Sequence, residues 1–556
     1  MLTRQEELTR TLAEINNRPP FGPRGSRLDL QYLLHWSQSH SAVVLLLSPP
    51  SLSYLSSLKI SSMQSSSTVT VLTTHKVQCA DRGSLAQIAC PFPLGPFDHL
   101  LPPFAAIAVV FVWRQPCEAS FPMISFNLLH TALARLLDFY PHLTGRVNIN
   151  DKDKTPEIRQ LGEGAELHSA VCETALPQCM APEDMPGQGN ALLAKFNGSP
   201  ECFSNEPILS IQHTRFRCGS VSLGVRVNHT VCDAHGFVQL MEDLAEIYRG
   251  LHAERLGGMS IPLQKVQAQQ QPCITSYLSD VVLSPQEASK ALKVQPVDYH
   301  VQPAPTVMTF KSDKPITGKL LQFTRDQLCA IKKAATDPTR DQYVSTFEAL
   351  TAHLWLSIQR ARTQCGPSTA SIDCCDETAD LLTSIDWRSP SRLNLPPRYF
   401  PNAVSEPCIT LPLNNISSNA LPQTAQIIHE TLQARSPADQ HKTLQWVKAQ
   451  PNKSKISLRA RLNEKGFIIS QWNKLNMYAI HFDNDNQGNR ILPDRIWPPF
   501  TENSLVDGLA YLLPTKPVAS TADSNRHSDI EVALSLHEPL WDVLGNDTQF
   551  TQFLKS

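Results

Sequence analysis

The sequence has no long run of like charges and no apolar stretch long enough to cross a bilayer. Its 556 residues carry a formal net charge of -2, with 49 Lys and Arg against 51 Asp and Glu. The basic residues are scattered, which argues against the cooperative phosphate contacts of nucleic-acid binding. The apolar run 42–47 is much shorter than the ~20 residues of a spanning helix. We therefore expect neither nucleic-acid binding nor stable membrane insertion.

The cysteines show none of the regular spacing of a disulfide framework or a zinc site. The chain has 14 of them, without any CxxC pair, and Cys374 and Cys375 are adjacent. This usage is typical of free thiols in a reducing compartment, so we expect a cytoplasmic protein. The sequence also has no fixed-period repeat, which makes a solenoid or a propeller unexpected.

Length and composition indicate a globular chain of several domains. Hydrophobic residues make up 41% and charged residues 18%, enough apolar material for a large core. Residues 1–62 have no clear pattern and are interpreted as a leader. The segment 262–306 is rich in Gln, Pro and Ser, and is interpreted as a crossover linker. It would separate an N-terminal lobe, 63–261, from a C-terminal lobe, 307–556.

Hydrophobic patterns predict several elements of these lobes. β-Branched alternation predicts a strand at 68–78, and a continuous apolar run predicts a buried strand at 105–114. Helical spacing predicts helices at 122–139 and 341–362. The clearest pattern is the alternation at 221–228, which predicts a half-buried strand. A helical pattern follows it and is expected to end at Gly250.

The connection between that strand and that helix holds the residues best suited to catalysis. A neutral imidazole such as His229 suits proton transfer near neutral pH. Asp233 could accept a ring proton from His229 or hold the turn from behind, in which case a buried carboxylate needs a partner such as an arginine. Gly236 is expected to allow a tight turn into the helix. Acyl transfer with these groups needs no metal.

The same segment allows other interpretations. His229, Asp233 and His235 have the side chains of a zinc or iron site, although Val231 stands where metal hydrolases with such a turn usually carry a further histidine. Cys232 could be a nucleophile, but packing into the core is the simpler prediction. Residues 228–230 also form a glycosylation sequon. A sugar there would cover His229, so a catalytic His229 argues against maturation in the secretory pathway.

Six sequence blocks occur in this chain in the same order as in a known protein family. The chain resembles the BAHD acyltransferases, in particular their fungal branch and its trichothecene O-acetyltransferases. The blocks are 133–146 (LARLLDFYPHLTGR), 214–219 (TRFRCG) with 228–236 (NHTVCDAHG), 343–355 (YVSTFEALTAHLW), 386–389 (DWRS) with 399–403 (YFPNA), 507–515 and 530–536 (IEVALSL). Together they are far more specific than the His-x-x-x-Asp spacing alone.

The resemblance implies a fold and a mechanism. The fold is α/β (α+β), with two similar lobes of the chloramphenicol acetyltransferase kind, mixed sheets, flanking helices and a channel between the lobes. His229 would be the general base, and Asp233 would be structural and paired with Arg388. The co-substrate would be an acyl-CoA, by default acetyl-CoA, and the acceptor a hydroxyl of a fungal-type specialised metabolite. A monomer without a metal, forming no acyl-enzyme, is expected.

One departure from the family leaves alternatives open. The family's Asp-Phe-Gly-Trp-Gly block corresponds to 481–485 (HFDND), where only Phe482 is kept, which puts coenzyme A binding in doubt. A non-catalytic binding protein that keeps the fold is therefore one alternative. The other is a condensation-type enzyme that uses a carrier-protein thioester. Such enzymes often have a histidine directly before the catalytic one, and Asn228 occupies that position.

Overall fold

The structure is a computed structural model that describes residues 69–554. Its gaps are 117–121, 179, 200–201, 256–270, 305–313, 340–342, 366–377, 413–419, 463–464, 503 and 518–528. The predicted leader, 1–62, and the pair Cys374 and Cys375 lie outside the described residues. Contacts group Ser66–Ser556 into one unit.

Strands dominate the described chain, and most of them belong to two six-stranded sheets. The strands are β1 Val69–Val77, β2 Phe92–Pro93, β3 Ala106–Trp113, β4 Arg146–Ile149, β5 Pro156–Arg159, β6 Ala165–Cys172, β7 Leu209–Phe216, β8 Val221–Asn228, β9 Tyr299–Val301, β10 Ile316–Phe323, β11 Thr378–Leu382, β12 Ile385–Asp386, β13 Val404–Ser405, β14 Cys408–Pro412, β15 Ile456–Leu458, β16 Phe467–Gln471, β17 Arg495–Trp497, β18 Leu509–Pro514 and β19 Ile530–His537.

Helices flank these sheets. They are α1 Phe126–Leu137, α2 Ala234–Arg255, α3 Pro285–Ala291, α4 Arg325–Ala335, α5 Thr346–Cys365, α6 Ala420–Gln433, α7 Pro437–Ala449, α8 Glu538–Asn546 and α9 Thr548–Thr551. In α1 the apolar residues recur at helical spacing, and the face they form is buried, as an amphipathic helix on a sheet requires.

The first sheet has the strand order β1-β6-β7-β8-β3-β17. Its strands pair antiparallel except for β6 and β7, which are parallel. Strand β3 is almost wholly apolar because it lies in the interior of the sheet. Strand β17 comes from far along the chain and pairs with β3, so the C-terminal half completes the first sheet.

The second sheet has the order β10-β19-β18-β16-β11-β14. Strand β16 runs parallel to both β18 and β11, and the remaining neighbours are antiparallel. Each sheet has its own apolar core, the second including helices α4, α5 and α8. Two mixed sheets with flanking helices correspond to the predicted fold class.

Several predicted helix boundaries are wrong. The helix predicted over 122–139 is the shorter α1, because Ile124 has a positive φ and Ser125 is the N-cap. Helix α2 does not end at Gly250 but continues to Arg255. An interior glycine costs only about 1 kcal/mol, and burial of Leu244, Ile247 and Tyr248 outweighs that cost. The helix predicted from residue 341 begins at Thr346, where Ser345 and Glu348 cap each other's backbone N–H.

Candidate active site

A cavity of about 320 Å³ opens between the two sheets. The first sheet contributes Ala106 and Ala108 of β3, together with His229 just after β8. The second sheet contributes residues of β11, β16 and β18, such as Leu382, Ser470 and Tyr511. The strand-to-helix connection of the first sheet therefore faces the second sheet across this space.

Hydrogen bonds from both halves of the chain hold the backbone of His229. Strand β8 pairs with β3 in a register that sets Asn228 opposite Ala106, and the His229 N–H donates to the Ala105 carbonyl at 2.9 Å. The His229 carbonyl accepts from the Asn402 side chain at 2.9 Å, and the same amide donates to Asp98 at 2.8 Å. This network fixes where the imidazole enters the cavity.

The imidazole of His229 is half-buried and lines the cavity. Its Nδ1 atom is buried and has no hydrogen-bond partner among the described residues. Asp233 does not supply that partner, because its carboxylate is directed to other donors. The ring nitrogen left to meet a substrate in the cavity is Nε2.

Asp233 caps helix α2 from behind the turn. Its Oδ1 accepts from the backbone N–H of His235 and of Gly236, each at 3.1 Å, and its Oδ2 accepts from the Ala403 N–H at 2.9 Å. An aspartate at this position satisfies the free N–H groups of the first helical turn. Of the two arrangements left open by the sequence, the structure has Asp233 holding the turn.

Arg388 lies next to this carboxylate. Its Nη2 is 2.8 Å from Asp233 Oδ1 and 2.8 Å from the Pro401 carbonyl oxygen, and its Nη1 is 3.1 Å from Asp386. Burial alone would raise the pKa of Asp233, but the charge and hydrogen bonds of Arg388, with the backbone donors, hold it below its ordinary value. The pair connects the His229 turn to the C-terminal half.

Gly236 is needed for a reason other than the predicted one. It lies inside helix α2 rather than in a tight turn. A Cβ atom built on Gly236 would be 2.1 Å from the carbonyl oxygen of Phe400 and 2.9 Å from the Cβ of Cys232. The absent side chain thus lets the segment around Phe400 pack directly on the helix, next to Arg388 and Asn402.

Gly236→Ala should therefore destabilise the protein. A methyl group cannot fit 2.1 Å from a backbone oxygen, and overpacking of this kind costs about 1–3 kcal/mol. Urea unfolding should show a lower midpoint. Gly545→Ala is the matched control, since it also replaces a helical glycine and nothing lies within 4 Å of a Cβ there. It should match or exceed wild-type stability, by up to about 1 kcal/mol. Equal stability of the two variants would contradict the close packing at Gly236.

The structure also locates the residues of the alternative interpretations. Cys232 is fully buried, and burial, with the charge of Asp233, raises the pKa of its thiol well above the ordinary range. His235 is exposed in the first turn of α2 and lines the cavity. Among the described residues, no three His, Cys, Asp or Glu side chains are grouped as a metal site would require. Asn228 is only 6% exposed, too buried to carry a sugar in the folded protein.

The altered block 481–485 lies outside the lining of the cavity. Phe482 is buried and makes edge contacts with Trp113 and Tyr248. Asp483 accepts from the Ile124 N–H at 2.7 Å just before helix α1. This block thus supports the first sheet and its helices.

Several lining residues were not identified from the sequence. Glu406, Trp472 and Tyr511 all face the cavity. Trp472 both packs in the core and lines the cavity. Asn402 belongs to a block that the resemblance had marked, but its bond to His229 depends on contacts between distant segments.

Comparison with protein-family models identifies the family of this chain. Residues 68–535 match the model of the transferase family. The chain belongs to this family of BAHD acyltransferases. The predicted enzyme class, an acyltransferase, is confirmed.

Two curated relatives of this BAHD acyltransferase show how much of the chain is shared. Alcohol acyltransferase 16 of Actinidia chinensis var. chinensis is 28% identical over 54% of this chain and 59% of the relative. Anthranilate N-benzoyltransferase protein 3 of Dianthus caryophyllus is 24% identical over 74% of this chain and 86% of the relative. The chain therefore spans somewhat more than half of the first and most of the second.

A solved structure confirms the fold. The chain superimposes on F. graminearum TRI101 complexed with coenzyme A and deoxynivalenol with a TM-score of 0.62. The match covers 84% of this chain and 99% of TRI101, at 18% identity. The predicted fold class is confirmed by this likeness. Within the described ranges, no helix has the length and apolar character of a membrane span.

Proposed function

We propose that this acyltransferase transfers an acyl group, acetyl in the first instance, from coenzyme A to a hydroxyl of a small specialised metabolite, with His229 as the general base. The observation that carries the proposal is the placement of His229. Its ring lines the cavity between the sheets while its backbone is held from both halves. A positioned base of this kind is what acyl transfer to a hydroxyl requires.

The reaction then needs one base and no covalent intermediate. His229 takes the hydroxyl proton while the acceptor oxygen attacks the thioester carbonyl, and a tetrahedral intermediate forms. Its collapse breaks the C–S bond. The protonated imidazole returns the proton to the departing thiolate, so His229 is neutral again at the end of the cycle. Asp233, Gly236 and Arg388 act by holding the turn in place.

The charge of the cavity indicates which part of coenzyme A it holds. Among the described lining residues, Arg388 is the one Lys or Arg, and Asp233 and Asp386 already pair with it. Phosphates need cations, so the cavity suits the thioester end and the acceptor. The nucleotide end of coenzyme A would lie outside it.

The remaining details belong to the same proposal. Assignment to the fungal branch, with an acceptor like those of trichothecene O-acetyltransferases, rests on the sequence blocks, and TRI101 was solved with coenzyme A and deoxynivalenol. A cytoplasmic location agrees with ten described cysteines that are all free, and the monomeric state is part of the proposal. The lobes 63–261 and 307–556 agree with the positions of the two sheets, apart from β17.

Initial rates with acetyl-CoA and a panel of hydroxyl-bearing metabolites test the proposal. We expect thiol release together with an acetylated product seen by mass spectrometry. Double-reciprocal plots should intersect, and the enzyme should gain no acetyl mass without acceptor. Transfer only from a carrier-protein thioester would favour the condensation-type alternative. An acetylated enzyme with parallel plots would contradict the single-step transfer.

A further inference from the structure

Glu406 lines the same cavity as His229, and among the described residues no cation pairs with its carboxylate. It follows strand β13. Its Oε2 accepts from the Tyr299 hydroxyl at 2.6 Å, and its backbone N–H donates to the same hydroxyl at 3.3 Å. The carboxylate therefore has a neutral hydroxyl as its side-chain partner, and among the described residues no cation balances its charge.

The carboxylates around Glu406 are paired, and Glu406 is not. Asp298, the charged neighbour that acts on it, is bound by Arg435 through two hydrogen bonds, at 2.7 and 3.0 Å. Burial raises the pKa of Glu406 to about 7. A buried carboxylate without a counter-ion is stabilised when a bound ligand brings a positive charge next to it.

We propose that Glu406 is a specificity-determining residue that binds a protonated amine of the acceptor. The acceptor is then a basic amino alcohol, with its ammonium group at Glu406 and its hydroxyl at His229. A protonated amine has no lone pair for attack on a thioester, so the acylated group must be the separate hydroxyl. The placement of the acceptor hydroxyl at His229 rests on the proposed function, whereas the binding of the amine at Glu406 does not.

Both residues line the same cavity, and the path of the chain limits how far apart they can lie. Glu406 follows Asn402 by four residues, and Asn402 is bonded to the carbonyl of His229. Four residues of extended chain span at most about 14 Å. The aromatic rings of Trp472 and Tyr511, with centroids 5.0 Å apart, form apolar wall in the same cavity. A molecule with an aromatic body and an amine would therefore match this cavity.

Tryptamine and tryptophol test the proposal as a matched pair, because they differ only in an ammonium or a hydroxyl at the end of one indole-ethyl frame. Calorimetry at about pH 8 keeps Glu406 ionised and the amine protonated. The wild type should bind tryptamine about tenfold more tightly than tryptophol. Glu406→Gln should remove that preference and leave tryptophol binding unchanged. Equal binding of the two probes by the wild type would overturn the proposal without any variant.

Asp386→Asn is the control, since it removes a second carboxylate of the same cavity and changes the net charge equally. It should keep most of the tenfold preference. A similar loss in both variants would mean that Glu406 has no specific part. The outcome is separate from that of the transfer assay. A tryptamine preference that depends on Glu406, without transfer to any acceptor, would refute the proposed function alone. Transfer without such a preference would refute the role of Glu406 alone.

Discussion

Replacing His229 by alanine should lower kcat for acyl transfer by about 10²–10⁴-fold, the usual contribution of a general base. The KM for the acyl-CoA should stay within a few-fold, because the cavity offers many other contacts. Folding should be preserved. The bonds of His229 to Ala105 and Asn402 use only its backbone, and its Nδ1 has no described partner to lose. Thiol release under saturating acetyl-CoA measures the effect.

His235→Ala is the matched control for this variant. It removes a second imidazole of the same cavity six residues further on, and the backbone N–H that Asp233 binds is kept. Its kcat should stay within about threefold of wild type. Wild-type turnover in His229→Ala would favour the non-catalytic binding protein. An equal loss in both variants would mean that the cavity, rather than one base, had been disturbed.

Local patterns were sufficient to predict the elements that carry His229. The alternation of strand β8, which has a period of two, predicted its span. The expectation of a half-buried strand was wrong, because the face of Ser222, Gly224 and Asn228 is covered as well. The predicted span 221–228 is the observed one. The prediction of Gly250 as a helix end was wrong because a local signal of about 1 kcal/mol competes with tertiary burial, which a single sequence does not show.

Contacts between distant segments were the part that local patterns could not predict. The close packing of Gly236 on Phe400 joins residues far apart in the sequence, and so does the bond from Asn402 to His229. Glu406 has no sequence signal at all. Its significance depends on the absence of a described cation nearby and on the hydroxyl of Tyr299, and both follow from how the chain folds back on itself. Only the family resemblance suggested that Arg388 lies near Asp233.

Arg388→Ala should lower the free energy of unfolding by about 3–5 kcal/mol, because it leaves a buried carboxylate without its cation. The side chains of Arg388 and Asp233 are 11% and 5% exposed, so water cannot replace the lost partner. Equilibrium unfolding in urea at neutral pH measures the loss. Asp386→Asn is the control. Asp386 is the other partner of Arg388 and its side chain is 51% exposed, so its removal should cost less than about 1 kcal/mol.

The pH dependence of this loss separates the charge of the pair from its packing. In the wild type the pKa of Asp233 lies below its ordinary value, so ionised Asp233 adds stability above its unfolded pKa, about 3.9, and the addition is lost as the pH falls through the folded pKa. Without Arg388, burial should raise the folded pKa, and ionised Asp233 then destabilises the fold. The deficit of Arg388→Ala should therefore be largest near pH 7 and shrink below about pH 4. A loss of unfolding free energy that stayed constant between about pH 4 and pH 7 would show that Arg388 stabilises the fold through packing. The ionised Asp233 would then not need the charge of Arg388.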